Sequence, residues 1–138
     1  MFINILIGLL SMIPANEKKG KLIIEVSGVK EVRGDIQIGI YNKADGFTEK
    51  NTVYMGKVVS VNGSTVIVEV PDLPHGTYAI SAYHDKNSNG LLDKGLFGVP
   101  TEVYGFSNNA RGTFGPPSFD DAKFQFNSSV SKVSLQLK

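Results

Sequence analysis

Apolar and polar residues alternate along much of the chain after residue 20. The alternation is clearest where an apolar residue returns at every second position, as in Ile36, Ile38 and Ile40. A period of two places successive side chains on opposite faces of a β-strand, so each such stretch predicts a strand with one buried and one solvated face. The pattern occurs in six stretches, at residues 22–26, 36–40, 66–70, 78–82, 122–126 and 133–137.

Turn-forming residues separate the alternating stretches. Asn62-Gly63 lies between two Val-rich runs and predicts a hairpin, and "DLPHG" at residues 72–76 predicts another turn. Residues 43–51 offer at most one short helix, because no helical period extends further. Six to eight strands, about seven, joined by turns predict an all-β fold. We expect an antiparallel two-sheet β-sandwich of Ig-like or prealbumin-like type, with a small closed barrel as the alternative.

One long segment interrupts the alternation. Residues 104–121, "YGFSNNARGTFGPPSFDD", contain several glycines, two prolines and four aromatic residues with no regular period. Irregular segments of this length inside a compact domain are uncommon and are usually functional or packed on themselves. The sequence therefore predicts one long irregular loop, whose aromatic side chains either cap the open end of the sandwich or contact a partner.

The first fifteen residues, "MFINILIGLLSMIPA", carry no charged side chain and are mostly apolar. The stretch is too short to span a bilayer as a helix and resembles the apolar part of a secretory signal. A buried N-terminal strand or helix is the alternative. We expect a signal peptide at 1–15, a linker at 16–20 and one β-sandwich domain at 21–138. The mature chain would have no membrane span and would be periplasmic, surface-located or secreted.

Composition narrows the possible chemistry. The chain has 138 residues, a formal net charge of +1 and no cysteine. The length suits one domain with its own core, and the near-neutral charge gives no basis for binding nucleic acid. Disulfides, thiolate metal sites and cysteine nucleophiles are excluded.

An oxygen-rich stretch follows the fourth alternating stretch, at residues 78–82. In "DKNSNGLLD", residues 85–93, side-chain oxygens stand at positions 1, 3, 5 and 9, glycine at position 6 and a backbone carbonyl at position 7 of a calcium-type loop. Position 12 is Leu96 instead of a bidentate Glu, and no helices flank the loop, so it is not an EF-hand. The candidate ligands are Asp85, Asn87, Asn89, the backbone carbonyl of Leu91, Asp93 and, from outside the loop, Glu102.

The ligand set predicts weak binding of Ca²⁺, with Mg²⁺ as the other candidate. With few carboxylates in the set, we expect a dissociation constant on the order of 10⁻⁴ to 10⁻³ M, as in extracellular modules. Asp120 and Asp121 in the irregular loop are alternative sources of the missing carboxylate. The competing interpretation is an Asx-rich turn whose side chains accept hydrogen bonds from their own backbone.

Longer motifs resemble a known family. "LPHGTYA" at 73–79, "HDKNSNG" at 84–90, "GVPTEVYGFSNN" at 98–109 and "PPSFDDA" at 116–122 together resemble the DUF2141 family of bacterial proteins. The strand and loop up to residue 90 also resemble prealbumin-like and Cna-B-like sandwich modules. The resemblance implies an exported β-sandwich and supplies no activity.

Three functions remain open at this stage. The first is an exported, non-catalytic binding or structural module that uses the Ca²⁺ loop, with an envelope protein or a glycan as its partner. The second is a carbohydrate-binding module, although the chain has no Trp for stacking. The third is a hydrolase that uses His84, Asp85 and Glu102, with Ser107 as nucleophile. The candidate partner surface is formed by His84, Tyr104, Phe106, Ser107, Asn108, Asn109, Phe114 and Phe119.

Overall fold

A computed structural model describes residues 18–91 and 102–138 of the chain. The described residues form eight strands: β1 (Lys19–Ser27), β2 (Asp35–Tyr41), β3 (Met55–Ser60), β4 (Val66–Pro74), β5 (Gly76–Asp85), β6 (Tyr104–Phe106), β7 (Phe124–Phe126) and β8 (Val130–Gln136). Short 3₁₀-helices lie at Lys50–Thr52 and Ser107–Asn109, and a single-turn helix, α1, lies at Phe119–Ala122. The predicted all-β fold is confirmed.

The strands form two sheets that pack as a sandwich. The three-stranded sheet has the order β4-β1-β8, and the five-stranded sheet has the order β3-β2-β5-β6, with β7 pairing to the first residues of β5. The pairs are antiparallel except β1–β8, which is parallel. The predicted antiparallel sandwich therefore contains one parallel pair, which alternation within single strands does not reveal.

The alternating residues fill the space between the sheets. Leu22 and Ile24 from β1, Ile36 and Ile40 from β2, and Ile80 from β5 are fully buried in one continuous core. Their period of two places each set on the inner face of its strand, as predicted. Burial of such a side chain contributes about 1.5–3 kcal/mol relative to its exposed state, so these sets fix the register of the strands.

A second, smaller cluster covers the outer face of the five-stranded sheet. Tyr41 and Ala79 contribute from β2 and β5, and Phe106, Phe119 and Ala122 contribute from the segment predicted to be irregular. The long-loop prediction for residues 104–121 is therefore corrected at both ends, since β6 opens the segment and α1 closes it. The physical reason is that aromatic side chains buried against a sheet face order the backbone that carries them.

The two sheets are joined at one side by backbone hydrogen bonds between β6 and the end of the chain. Tyr104 N–H donates to the carbonyl of Lys138 at 3.3 Å, and Lys138 N–H donates to the carbonyl of Tyr104 at 3.0 Å. Gly105 allows this approach, because a Cβ at this position would lie 2.5 Å from the backbone oxygen of Gln136.

The N-terminal predictions fall mostly outside the described residues. The signal peptide at 1–15 lies entirely outside them, and β1 begins at Lys19, so the last two residues of the predicted linker belong to a strand. In the described part of the chain, no helix is long and apolar enough to cross a membrane.

The close approach at Gly105 generates a stability prediction. Gly105→Ala should lower the free energy of unfolding by about 1–3 kcal/mol, because the added methyl group overpacks the contact with Gln136. Gly56→Ala is the matched control, since a Cβ there meets nothing closer than 3.9 Å. Urea unfolding of both variants measures the difference. Equal stability of the two variants would contradict the proposed junction between the sheets.

Candidate functional site

The oxygen-rich stretch begins at the last two residues of β5. His84 and Asp85 are consecutive in the strand, so their side chains lie on opposite faces of the sheet. His84 continues the inner row of Ile80 and Ala82, whereas Asp85 follows the outer row that contains Ala79. Both side chains are buried, with relative exposures of 1% and 0%. This end of β5 therefore places one polar group on each side of the sheet.

The Asp85 carboxylate organises the loop that follows it. Gly90 N–H donates to Oδ2 at 2.7 Å, and Asn89 N–H donates to Oδ1 at 3.1 Å. Gln37 Nε2 on the neighbouring strand donates to Oδ2 at 3.3 Å. The backbone from 86 to 90 thus folds back around one buried carboxylate.

The two asparagines form the local turns that the competing interpretation predicts. Asn87 Oδ1 accepts Asn89 N–H at 3.3 Å, and Asn89 Oδ1 accepts Leu91 N–H at 2.9 Å. Gly90 has a φ of 78°, which glycine adopts without steric cost. A carboxylate has about four acceptor sites, so the three bonds to Asp85 leave acceptor capacity on its oxygens.

Glu102 follows residues 92–101, which lie outside the described residues, and contacts the start of the loop. Its side chain is buried, and Oε2 accepts Lys86 N–H at 2.7 Å. The structure therefore brings Glu102 to the start of the loop. Asp93 lies outside the described residues. Across residues 18–91 and 102–138, no group of three or more His, Asp or Glu side chains is placed to hold a metal ion.

Asp35 is a further acidic residue at this site, which sequence reasoning missed. It is directly opposite Asp85 in the antiparallel pairing of β2 with β5, so the two side chains lie on the same outer face. Like charges directly opposite each other destabilise a sheet. The pair is revealed by the register in which β2 and β5 associate. The sequence of either strand alone does not specify that register.

In the hydrolase hypothesis, Ser107 is the nucleophile and His84 is a candidate base. The two side chains are not hydrogen-bonded to each other. His84 Nε2 lies 2.7 Å from the backbone oxygen of Arg33, and Asp85 lies on the other face of the sheet. The Ser107 hydroxyl is buried and bonded elsewhere. The contact between His84 and Arg33 depends on the glycine that follows Arg33, because a Cβ on Gly34 would lie 2.3 Å from the carbonyl oxygen of Asp85.

The "SNN" motif at residues 107–109 is an internal clamp. Ser107 Oγ accepts Ile80 N–H at 2.9 Å and donates to the carbonyl of Ala122. Asn108 Nδ2 donates to the carbonyls of Asp121 and Lys123, and Asn109 Oδ1 accepts Gln136 N–H at 2.9 Å. Both asparagines have positive φ values, of 60° and 51°. These three side chains therefore join β5, α1 and β8.

The predicted partner surface is corrected at its buried members. Phe106 and Phe119 are packed in the second cluster, and Ser107 is fully buried, so none of the three is available at the surface. Their aromatic rings pack against Phe47, with ring centroids 6.2 and 5.7 Å away. Of the remaining aromatic members, Tyr104 is partly covered by the Arg111 guanidinium, 4.6 Å above its ring, and Phe114 is fully exposed.

The Ser107 clamp generates a second prediction. Ser107→Ala should lower the free energy of unfolding by about 1–3 kcal/mol, because it leaves the buried N–H of Ile80 without an acceptor. Ser60→Ala, at an exposed position of β3, is the control and should change stability by less than about 0.5 kcal/mol. Denaturant melts of both variants check this. A neutral Ser107→Ala substitution would rule out the clamp.

The comparisons with known proteins identify a family and leave the role of the chain open. No curated protein and no solved structure matches the chain at a significant level. A family model described as "Uncharacterized protein conserved in bacteria (DUF2141)" matches residues 24–134. This range runs from the first core strand to the last strand and includes the loop after β5, Glu102 and the clamp. The chain therefore belongs to the DUF2141 family.

Proposed function

We propose that this protein is an exported, non-catalytic β-sandwich module with a binding or structural role, whose loop at residues 85–93 binds Ca²⁺. The observation that carries the proposal is the buried Asp85 carboxylate, around which the backbone N–H groups of Asn89 and Gly90 fold the loop. The apolar, uncharged stretch at residues 1–15 supports export.

The charge around Asp85 favours a cation. A buried carboxylate is costly unless it is hydrogen-bonded, paired with a cation or bound to a metal. The four ion pairs between described residues include neither Asp85 nor Asp35. Asp35 adds a second negative charge directly across from Asp85. A bound cation would offset both charges, which hydrogen bonds from the backbone offset only in part.

The donor atoms favour Ca²⁺ over other metals. The candidate ligands are carboxylate, amide and backbone carbonyl oxygens, which suit hard cations. Ca²⁺ accepts six to eight oxygens in flexible geometry, whereas Mg²⁺ requires near-octahedral geometry at about 2.0–2.1 Å and keeps several waters. A loop of alternating side chains from one short segment fits the less demanding ion. Asp93, predicted from the spacing, would supply a further carboxylate.

The proposed role of the cation is to stabilise the module. Metal binding that requires the folded loop contributes to the free energy of folding. Tyr83 already ties the loop to the outer face of β5, since its hydroxyl donates to the carbonyl of Gly90 at 2.9 Å. A bound ion would hold the loop, Glu102 and the ends of β2 and β5 in one rigid unit.

A calcium titration tests the proposal. Thermal melts of the protein from residue 18 onward, first in EDTA and then in Ca²⁺ up to several millimolar, should show a concentration-dependent rise in Tm. At ten times the dissociation constant, the added stability is about 1.4 kcal/mol. Mg²⁺ at the same concentrations should give a smaller shift. An unchanged Tm across the Ca²⁺ range would show that the loop is an Asx turn that does not bind Ca²⁺.

Asn87 provides a variant that separates metal binding from folding. Its side chain is exposed, so Asn87→Ala should change the Tm in EDTA little. The substitution removes one ligand oxygen and should weaken Ca²⁺ binding about tenfold or more. Asn62→Ala, in an exposed turn, is the control and should bind Ca²⁺ normally. Equal Ca²⁺ affinities for the two variants would exclude Asn87 as a ligand.

Asp35 provides a second variant, whose stability without Ca²⁺ and response to Ca²⁺ should both change. Asp35→Asn should raise stability in EDTA by about 0.2–1 kcal/mol, because it removes the repulsion with Asp85. The same variant should show a smaller Ca²⁺-induced rise in Tm than the wild type. Asp45→Asn, at an exposed turn, serves as the charge-matched control. A loss of stability in EDTA with an unchanged Ca²⁺ response would contradict the predicted repulsion.

A further inference from the structure

A cavity lies on the side of β5 that faces away from Asp85. It has a volume of about 150 Å³ and is lined by Lys30, Glu31, His84, Lys86 and Val103. His84 stands at the end of the inner row of β5, so the cavity opens where the core between the two sheets ends. Most of its lining is charged or polar, which is unusual for the end of an apolar core.

His84 is held in one orientation at this cavity. A backbone carbonyl only accepts hydrogen bonds, so the 2.7 Å contact with Arg33 assigns the proton to Nε2. Nδ1 of the neutral ring is then an acceptor. In the described part of the chain, no fully buried side-chain nitrogen or oxygen lacks a hydrogen-bond partner. Among the described residues, the Arg33 contact is the one hydrogen bond of this imidazole, so Nδ1 is not fully buried, and His84 is one of the residues that line the cavity.

The charged side chains around the cavity differ in whether they form ion pairs. Arg33 Nε donates to Glu31 Oε2 at 2.8 Å, and this bond, with the positive charges of Arg33 and Lys86, lowers the pKa of the Glu31 carboxyl. Neither Lys30 nor Lys86 takes part in the ion pairs between described residues. Glu31 is thus neutralised by Arg33, and two ammonium groups remain at the cavity.

We propose that this cavity binds a small anion that also carries a hydroxyl group. Lys30 and Lys86 would contact the anionic group as point charges, and the ligand's hydroxyl would donate to Nδ1 of His84. An anion without a hydroxyl would leave Nδ1 unpaired or bring an oxygen lone pair against it. A neutral sugar would leave both ammonium groups unpaired. The ligand class is therefore a hydroxycarboxylate or a phosphorylated polyol.

The size of the cavity limits the ligand further. Its volume corresponds to about five water molecules at ~30 Å³ each, and it is well below the ~300 Å³ at which cavities for drug-sized ligands begin. A ligand with a few carbon atoms fits. This inference does not depend on calcium at the loop, because no residue that lines the cavity is a candidate calcium ligand.

Amide NMR titrations of the protein from residue 18 onward test the proposal, with EDTA present and at one fixed pH. Lactate and propionate differ by one hydroxyl, and glycerol 3-phosphate and propyl phosphate differ by the hydroxyls of the polyol. Comparison of the two pairs distinguishes a carboxylate from a phosphate. We expect saturable shifts at residues 30–31, 84 and 86 with lactate or glycerol 3-phosphate, and affinity lower by roughly tenfold for the partner that lacks the hydroxyl. Equal binding of lactate and propionate, or saturation by neither hydroxylated anion, would overturn the proposal.

Two lysine variants provide a second test of the proposed anion site. Lys30→Ala and Lys86→Ala should each lower the affinity for the hydroxylated anion by about threefold to tenfold. Lys43 is an exposed loop lysine away from the cavity, and Lys43→Ala should leave the affinity unchanged. All three positions are on the surface or half-buried, so the variants should fold. Unchanged affinity in both cavity variants would show that the anion binds elsewhere and would refute the assignment.

Discussion

Burial of the inner face of β5, and of Ala79 and Asp85 on its outer face, is the constraint on which the rest of the structure depends. The inner face packs in the main core through Tyr78, Ile80 and Ala82, and Ala79 on the outer face packs in the second cluster. A strand covered on both faces cannot leave polar groups unsatisfied. The SNN clamp, the aromatic cluster and the loop after Asp85 are all arranged around this one strand.

The same constraint explains why two candidate sites lie at one end of β5. His84 and Asp85 are buried polar residues at the end of β5, and each needs a partner on its own side of the sheet. The inner side supplies the carbonyl of Arg33, and the outer side supplies backbone N–H groups from the loop. Both partners come from loops and leave acceptor atoms unused. A strand end of this kind is suited to binding, because further hydrogen bonds can form without disturbing the core.

The sequence predicted the parts of the fold that depend on local pattern. Alternation gave the inner rows of β1, β2, β4 and β5, because a period of two is decided within a single strand. The clamp, the second cluster and the pairing of Asp35 with Asp85 were missed, because each depends on residues brought together by pairing between distant strands. The loop after β5 was recognised by its oxygen spacing, but its hydrogen bonds also fit an ordinary Asx turn. His84 was identified as a polar residue at a strand end, whereas the cavity beside it needs the β1–β2 loop in place.

The parallel pairing of β1 with β8 has a consequence for how the chain folds. β1 is the middle strand of its sheet, and its partner Val130 is more than one hundred residues from Lys21 in the chain. Contacts between such distant residues slow folding, because loop closure costs entropy before the contacts stabilise the chain. Until β8 is in place, one edge of β1 has unpaired backbone groups and can pair with another chain. The order of strands in the small sheet therefore makes assembly of this domain a late, whole-chain event, with its main aggregation risk in the interval before β8 docks.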